Sequence, residues 1–148
     1  MRILLLGKDG QVGWELQRAL APLGYLTALD RSDAMPLCGD LSEPQRLVET
    51  VRRLRPDVIV NAAAHTLVDQ AESEPELARA VNATAPGALA HEAAVRGAWL
   101  VHYSTDYVFD GTGSAPWNED DPTGPLNVYG RTKLEGEQLI RASGCQHL

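Results

Sequence analysis

Cysteine is scarce: the chain of 148 residues has 2, Cys38 and Cys145. Two thiols do not make the disulfide framework of a small secreted domain, and both are expected to be buried, reduced and inert. Long hydrophobic runs are also missing. No stretch approaches the ~20 apolar residues that span a bilayer. The N-terminal run Ile3-Leu4-Leu5-Leu6 stops at Gly7, short of the ~7–15 apolar residues of a secretory signal. These absences point to a soluble chain in a reducing compartment, the cytoplasm, with no membrane partner. Basic residues are the minority, 13 Lys and Arg against 20 Asp and Glu, for a net charge of −7. Nucleic-acid binding wants a basic patch, so that class is excluded. Metal-ligand spacing is absent as well. His65, His91, His102 and His147 form no H-E-x-x-H pair, and His91-Glu92 is expected on a helix surface.

What is present is enough for a core. Hydrophobic residues make 44% and charged residues 22%, which excludes disorder and fibrous repeats. The length is about one domain's worth. Short apolar runs at residues 3–6, 25–29, 58–60 and 99–103 read as strands buried on both faces. Between them lie helical patterns. Residues 11–23 carry Val12, Leu16, Leu20 and Leu23 on one face. Ser42 is placed to cap a helix with Pro44 in its first turn and Leu47, Val51 and Leu54 on its apolar face. Residues 31–40 read as irregular with a short strand near Leu37-Cys38, and residues 62–73 are ambiguous. A long helix is expected from Glu74 or Pro75 to Arg96, bent at Pro86-Gly87. Asn127 is placed to cap a last helix over residues 128–142. Trp14, Trp99 and Trp117 are expected to be packing residues. Alternating strand and helix predicts an α/β fold, a doubly wound parallel sheet of the Rossmann-like, dinucleotide-binding kind.

The first strand meets the first helix through Gly7-Lys8-Asp9-Gly10-Gln11-Val12-Gly13. Glycines let a backbone turn tightly and approach an oxygen closely. A helix N-terminus then offers free N–H groups and a positive dipole end to a phosphate. The G-x-x-G-x-x-G spacing departs from the common G-x-G-x-x-G. Asp30 closes the second strand, near the distance at which an acidic residue bonds adenosine ribose hydroxyls. Arg31 beside it is suited to a 2′-phosphate. The two leave NADH and NADPH both open, with NADPH or both favoured.

Tyr129-Gly130-Arg131-Thr132-Lys133 opens the last helix, and residues four apart share a face. A lysine ammonium and a helix N-terminus both favour ionised tyrosine, so such a pair is suited to protonate an alkoxide formed by hydride addition to a carbonyl. Ser104-Thr105-Asp106 follows a strand at the sheet end where ligands bind in open α/β folds. One of these hydroxyls is suited to bond a substrate carbonyl.

These three features, in this order, resemble the extended short-chain dehydrogenase/reductases and, among them, the dTDP-4-dehydrorhamnose reductase family. The resemblance runs along the whole chain and is most specific at residues 102–111 and 125–133. It implies reduction of a dTDP-4-dehydro-β-L-rhamnose 4-keto group by NADPH or NADH, giving dTDP-L-rhamnose. It further implies Tyr129 as proton donor, Lys133 on the nicotinamide ribose, and Thr105 with Asp106 on the dTDP-sugar. Gly7, Gly10, Gln11, Val12 and Gly13 would embrace the pyrophosphate. Asp30 and Arg31 would meet the adenosine ribose, Asp40 and Leu41 the adenine side. Ala62, Ala63, Ala64 and Thr66 would line the cofactor. Mg²⁺ occurs at a subunit contact in some members, with Glu15 a matching position in a full-length form and the other ligands beyond residue 148.

The same resemblance implies that further strands and a sugar-binding domain follow this stretch, so the chain is expected to be a C-terminally truncated half with little activity alone. The strand at residues 99–103 would then be an exposed edge, prone to pair with a second copy in a homodimer. The alternatives are a sugar-nucleotide epimerase or dehydratase of the same superfamily and a non-catalytic dinucleotide-binding or regulatory subunit.

Overall fold

The apolar run at the N-terminus is buried on both sides, which puts it inside a sheet: Ile3, Leu4, Leu5 and Leu6 are all in the core. A computed structural model describes residues 1–33 and 36–148. Its strands are β1 (Arg2–Leu6), β2 (Tyr25–Leu29), β3 (Val58–Asn61), β4 (Trp99–His102) and β5 (Gln146–His147). They form one sheet in the order β2-β1-β3-β4-β5, with every pairing parallel. The helices are α1 (Gln11–Leu20), α2 (Pro44–Leu54), α3 (Val68–Ser73), α4 (Pro75–Arg79), α5 (Ala85–Arg96) and α6 (Val128–Ser143). This is the doubly wound arrangement the alternation predicts.

Alternate residues of β1 serve opposite faces. Leu4 and Leu6 join Leu47, Val51, Leu89, Ala93 and Ile140 from α2, α5 and α6 in the larger cluster. Ile3 and Leu5 join Val60, with Leu16 and Leu20 of α1 packed against them. Glu92 is a correction to the expected surface pair: His91 is exposed, but Glu92 is 2% exposed. Arg52 of α2 donates to its carboxylate at 2.6 and 3.0 Å, and Arg96 lies 3.4 Å away. The Arg52 bond holds this carboxyl below the usual carboxylate range, so α5 is pinned to α2 by charge as well as apolar contact.

Several boundaries differ from expectation. The first helix stops at Leu20 and tightens into a 3₁₀ turn over Ala21–Leu23. Val12 and Leu23 are 46% and 56% exposed, so its apolar face is Leu16 and Leu20 with Gly13. Ser42 does not cap α2; its N–H and hydroxyl both donate to Asp40 Oδ1. The expected irregular segment 31–40 lies partly outside the described residues, at 34 and 35, and no strand forms at Leu37-Cys38. The tryptophans are not core residues. Trp14, Trp99 and Trp117 are 61%, 43% and 38% exposed, and Trp117 stacks on Phe109 with centroids 4.8 Å apart. Cys38 and Cys145 are free and buried, as expected.

The long alanine-rich helix is interrupted earlier than Pro86-Gly87. Residues Ala80–Thr84 form a π-turn between α4 and α5. Proline lacks an N–H and its ring crowds the carbonyl four residues back. For Pro86 that carbonyl belongs to Asn82, and the wider turn relieves the crowding. The Asn82 carbonyl faces Gly136 of α6, where an added Cβ would overlap it.

The edge expected at β4 is covered. Gly144 adopts a left-handed conformation (φ 69°) that ends α6 and turns the chain back. β5 then pairs with Trp99 and Leu100, and Leu148 exchanges backbone bonds with Leu100 and His102 at 3.0 and 2.9 Å. The unpaired-edge argument for a homodimer therefore does not apply to β4.

The close approach of α6 to the π-turn is testable. Gly136→Ala should lower the unfolding free energy by about 1–3 kcal/mol through overpacking, read as a lower urea midpoint. An unchanged midpoint would contradict the contact.

Candidate active site

The candidate residues gather at the carboxyl ends of β1, β2, β3 and β4. Gly7 leaves β1 with φ 84°, a conformation that suits glycine alone. Its N–H and that of Lys8 both donate to Leu29 O, at 2.9 and 3.2 Å, tying the turn to the end of β2. A Cβ on Gly7 would lie 2.8 Å from Ala63 N, and one on Gly13 would overlap Gly7 O. The two glycines thus let α1, the turn and the loop after β3 meet backbone to backbone. Gly10 is the N-cap of α1 and brings no side chain, and the first turn has no acidic residue. The Gln11 and Val12 N–H groups are first-turn donors without an intrahelical or capping partner, and both residues are exposed. An anion is the natural acceptor there.

An acidic and basic network borders this turn. Asp30 accepts from the N–H groups of Arg31 at 2.7 Å and Asp9 at 3.3 Å. Asp33 accepts from Asp30 N at 2.8 Å and pairs with Lys8 Nζ at 2.5 Å. The bond from Lys8 lowers the Asp33 pKa, and that same bond raises the Lys8 pKa. Sequence reading passed over Lys8 and Asp33; the only signal was their opposite charge at two adjacent turns. Arg31 is exposed beside Asp30. Asp40 is spent on Ser42, and the Leu41 side chain is 3% exposed within the larger core cluster. Ala62, Ala63 and Ala64 are half-buried and Thr66 is exposed in the loop after β3.

The second half of the site is α6. Asn127 caps it as expected, its Oδ1 accepting from Gly130 N at 2.7 Å. Tyr129 is half-buried with its ring edge-on to Tyr107, centroids 5.6 Å apart. Lys133 is 2% exposed. Its Nζ donates to Tyr103 O at 2.5 Å, just past β4. Burial lowers its pKa to about 8, against an opposing pull from Glu137. Thr105 caps a 3₁₀ turn, Asp106–Val108, accepting from Tyr107 N at 3.2 Å and donating to Asp106 Oδ1 at 3.3 Å. Ser104 is drawn away from the site to Glu137 Oε1.

Three residues outside the expected set join the halves. Asn61 ends β3, accepts from Ala63 N at 3.2 Å, and lies 3.1 Å from His102 Nδ1 through its Nδ2. His102 Nε2 lies 3.4 Å from Lys133 Nζ. Burial, with the Lys133 charge adding, lowers the His102 pKa to about 3. Asn82 donates to His65 O at 3.1 Å and Thr132 Oγ1 at 3.2 Å, and accepts from His65 N at 2.8 Å. It thereby fastens the loop after β3 to α6. The sequence signal for these was slight: single polar residues inside or beside apolar runs.

Glu15 stands apart. It lies beyond the first turn of α1, exposed and ion-paired with Arg18. Among the described residues no cluster of three or more His, Cys, Asp or Glu is placed to hold a metal ion. Nothing among the described residues supports Mg²⁺ at Glu15. No helix among the described residues is long and apolar enough to cross a membrane.

A parallel doubly wound sheet with a glycine turn, a Tyr-x-x-x-Lys helix and a hydroxyl after β4 defines a dinucleotide-type α/β protein. More narrowly, the chain belongs to the family described as RmlD substrate binding domain, whose model matches residues 1–148. It is 64% identical over 148 residues to the dTDP-4-dehydrorhamnose reductase of Salmonella typhimurium, covering 100% of this chain and 49% of that protein. The crystal structure of a dTDP-4-dehydrorhamnose reductase from Clostridium acetobutylicum superposes with a TM-score of 0.91 at 37% identity, over 99% of this chain and 51% of that one. That of Bacillus anthracis, in complex with NADP, gives 0.88 at 35% identity, over 99% and 50%. The chain therefore spans about half the length of the curated relatives it matches.

The buried imidazole has a thermodynamic consequence. His102 takes a proton below about 6.5 when unfolded but stays neutral to about 3 when folded. Between those values the unfolded state binds more protons, so stability is lost as pH falls through the window. From pH 6.5 to 5 the urea midpoint should drop, with at most ~1.4 kcal/mol per pH unit from this group. His102→Gln should flatten that slope; an unchanged slope would contradict the neutral, buried ring.

Proposed function

We propose that residues 1–148 are the dinucleotide-binding domain of an NAD(P)H-dependent reductase that converts dTDP-4-dehydro-β-L-rhamnose to dTDP-L-rhamnose. The reading is supported by the names of the relatives and by one observation above all. The glycine turn, the loop after β3 and the buried Lys133 beside Tyr129 converge at one end of a parallel sheet, linked through Ala63, Asn61 and His102. The cytoplasm, with both thiols reduced, is the inferred compartment.

The residues present fit a nicotinamide dinucleotide. The glycines leave room that a Cβ would take, and the first-turn N–H groups of α1 are free for a pyrophosphate. Asp30 would meet the adenosine ribose and Arg31 a 2′-phosphate, which favours NADPH while leaving NADH usable. Ala62, Ala63, Ala64 and Thr66 would line the bound dinucleotide, and the Asp40-Leu41 backbone its adenine side. When bound, that cofactor supplies a hydride. Tyr129 donates the matching proton to the carbonyl oxygen from its hydroxyl. Lys133 holds the ribose and the local positive charge. Thr105 and Asp106 contact the sugar nucleotide, and the Thr105 hydroxyl steadies the developing oxyanion.

In the intact protein, Tyr129→Phe should cut turnover by about 10²–10⁴-fold while leaving NADPH affinity nearly unchanged. Retained turnover would overturn the assignment. Stoichiometric NADPH consumption is expected with the dTDP-sugar; turnover without net consumption would mark an epimerase or dehydratase instead. Arg31→Ala should weaken NADPH binding about tenfold and NADH binding little, as judged by fluorescence titration. Equal loss for both would remove Arg31 from 2′-phosphate recognition.

A further inference from the structure

The reductase reading uses Lys133 and leaves its buried neighbours unexplained. Asn61 is 1% exposed and sits directly across from His102 in the β3–β4 register. Its amide can face only one way. Oδ1 accepts from Ala63 N at 3.2 Å, so Nδ2 must face His102 Nδ1, 3.1 Å away. Turning the amide over would set its NH₂ against the Ala63 N–H. His102 Nδ1 is therefore an acceptor, and in the neutral ring the proton sits on Nε2. That proton faces Lys133 Nζ at 3.4 Å.

We propose that His102 is a positioning residue for Lys133, set by Asn61: it turns an N–H rather than a lone pair toward Nζ and so favours the amine form there. An ammonium has no lone pair to receive this N–H and meets it as donor against donor. An amine receives it, donates one N–H to Tyr103 O, and keeps one for the site. When Lys133 gives up a proton to solvent water, the N–H bond breaks and the electron pair stays on Nζ, where it accepts from His102 Nε2. Among the described residues, the groups facing Lys133 are Glu137, His102 and the Tyr103 carbonyl. Glu137, on its own helix, pulls toward the ammonium, but that carboxylate is shared with Ser104 and with Arg141 at 3.2 Å. From β4 come the His102 ring and the Tyr103 carbonyl. Burial acts in the same direction as His102, leaving the lysine near the top of the neutral range, at about 8. Combined with the proposed function, this leaves Lys133 mostly an ammonium at pH 7, still carrying its charge beside Tyr129, with the amine form brought closer.

Two measurements on the intact protein test the idea without substrate or turnover, so they stand or fall apart from the reductase reading. The first is the tautomer of His102, read by ¹⁵N NMR of histidine-labelled protein at pH 7. The proton is expected on Nε2; a proton on Nδ1, or a charged ring, would overturn the proposal. The second is the Lys133 titration, followed by NMR of labelled lysine in two variants. Asparagine keeps an acceptor for Asn61 and removes the Nε2 donor, whereas glutamine restores an N–H near the Nε2 position. His102→Asn should raise the Lys133 pKa by about one unit, and His102→Gln should return it toward the original value. Equal values in both variants would reduce His102 to a packing role. The tautomer needs no variant, so it decides even where a substitution disturbs folding.

Discussion

The side chain of Asn82 holds the site together. It is 1% exposed and uses its amide on the loop after β3 and on α6 at once, through His65 and Thr132. A buried amide left without partners costs about 1–3 kcal/mol, so satisfying it strongly favours this one arrangement. The backbone of the same residue sets a second limit. Its carbonyl, displaced by the π-turn ahead of Pro86, lies where only a glycine at position 136 allows α6 to approach. The orientation of the helix that carries Tyr129 and Lys133 therefore depends on a residue outside that helix.

From that docking follows the environment of Lys133. A lysine 2% exposed gives up most of its hydration, and desolvation favours the amine. The Tyr103 carbonyl recovers part of the lost hydrogen bonding, while the His102 ring, kept neutral by the same burial, adds no compensating negative charge. The glycine turn reaches this cluster through the Gly7–Ala63 contact and the Ala63–Asn61 bond. The glycine turn and the Tyr129–Lys133 helix are in this way parts of one hydrogen-bonded and close-packed system.

Much of this was legible in the amino-acid sequence, for physical reasons. Strands buried on both faces read as plain apolar runs, and β2 falls on the predicted boundaries. Asn127 caps α6 because a short polar side chain before a helix has few better uses. The glycine turn announced itself by its position between strand and helix. What stayed hidden depends on tertiary contacts. Nothing local distinguishes Asn82 from any polar residue in an alanine-rich helix, nor His102 from a strand-end histidine. Ser42 looked like a cap, but Asp40 two residues earlier offered its hydrogens a charged acceptor. The pairing of β5 with β4 was missed because two residues after a left-handed glycine leave no periodicity to read.

The central claim is that one end of the sheet binds a nicotinamide dinucleotide across the glycine turn, the loop after β3 and the buried lysine. An NADPH titration followed by backbone amide and lysine NMR tests it most directly. Shifts should concentrate at Gly10, Gln11, Val12 and Gly13, at Ala62, Ala63, Ala64 and Thr66, and at Lys133. Shifts centred at the opposite end of the sheet, around Arg2 and Tyr25, or no response at millimolar NADPH, would contradict the account.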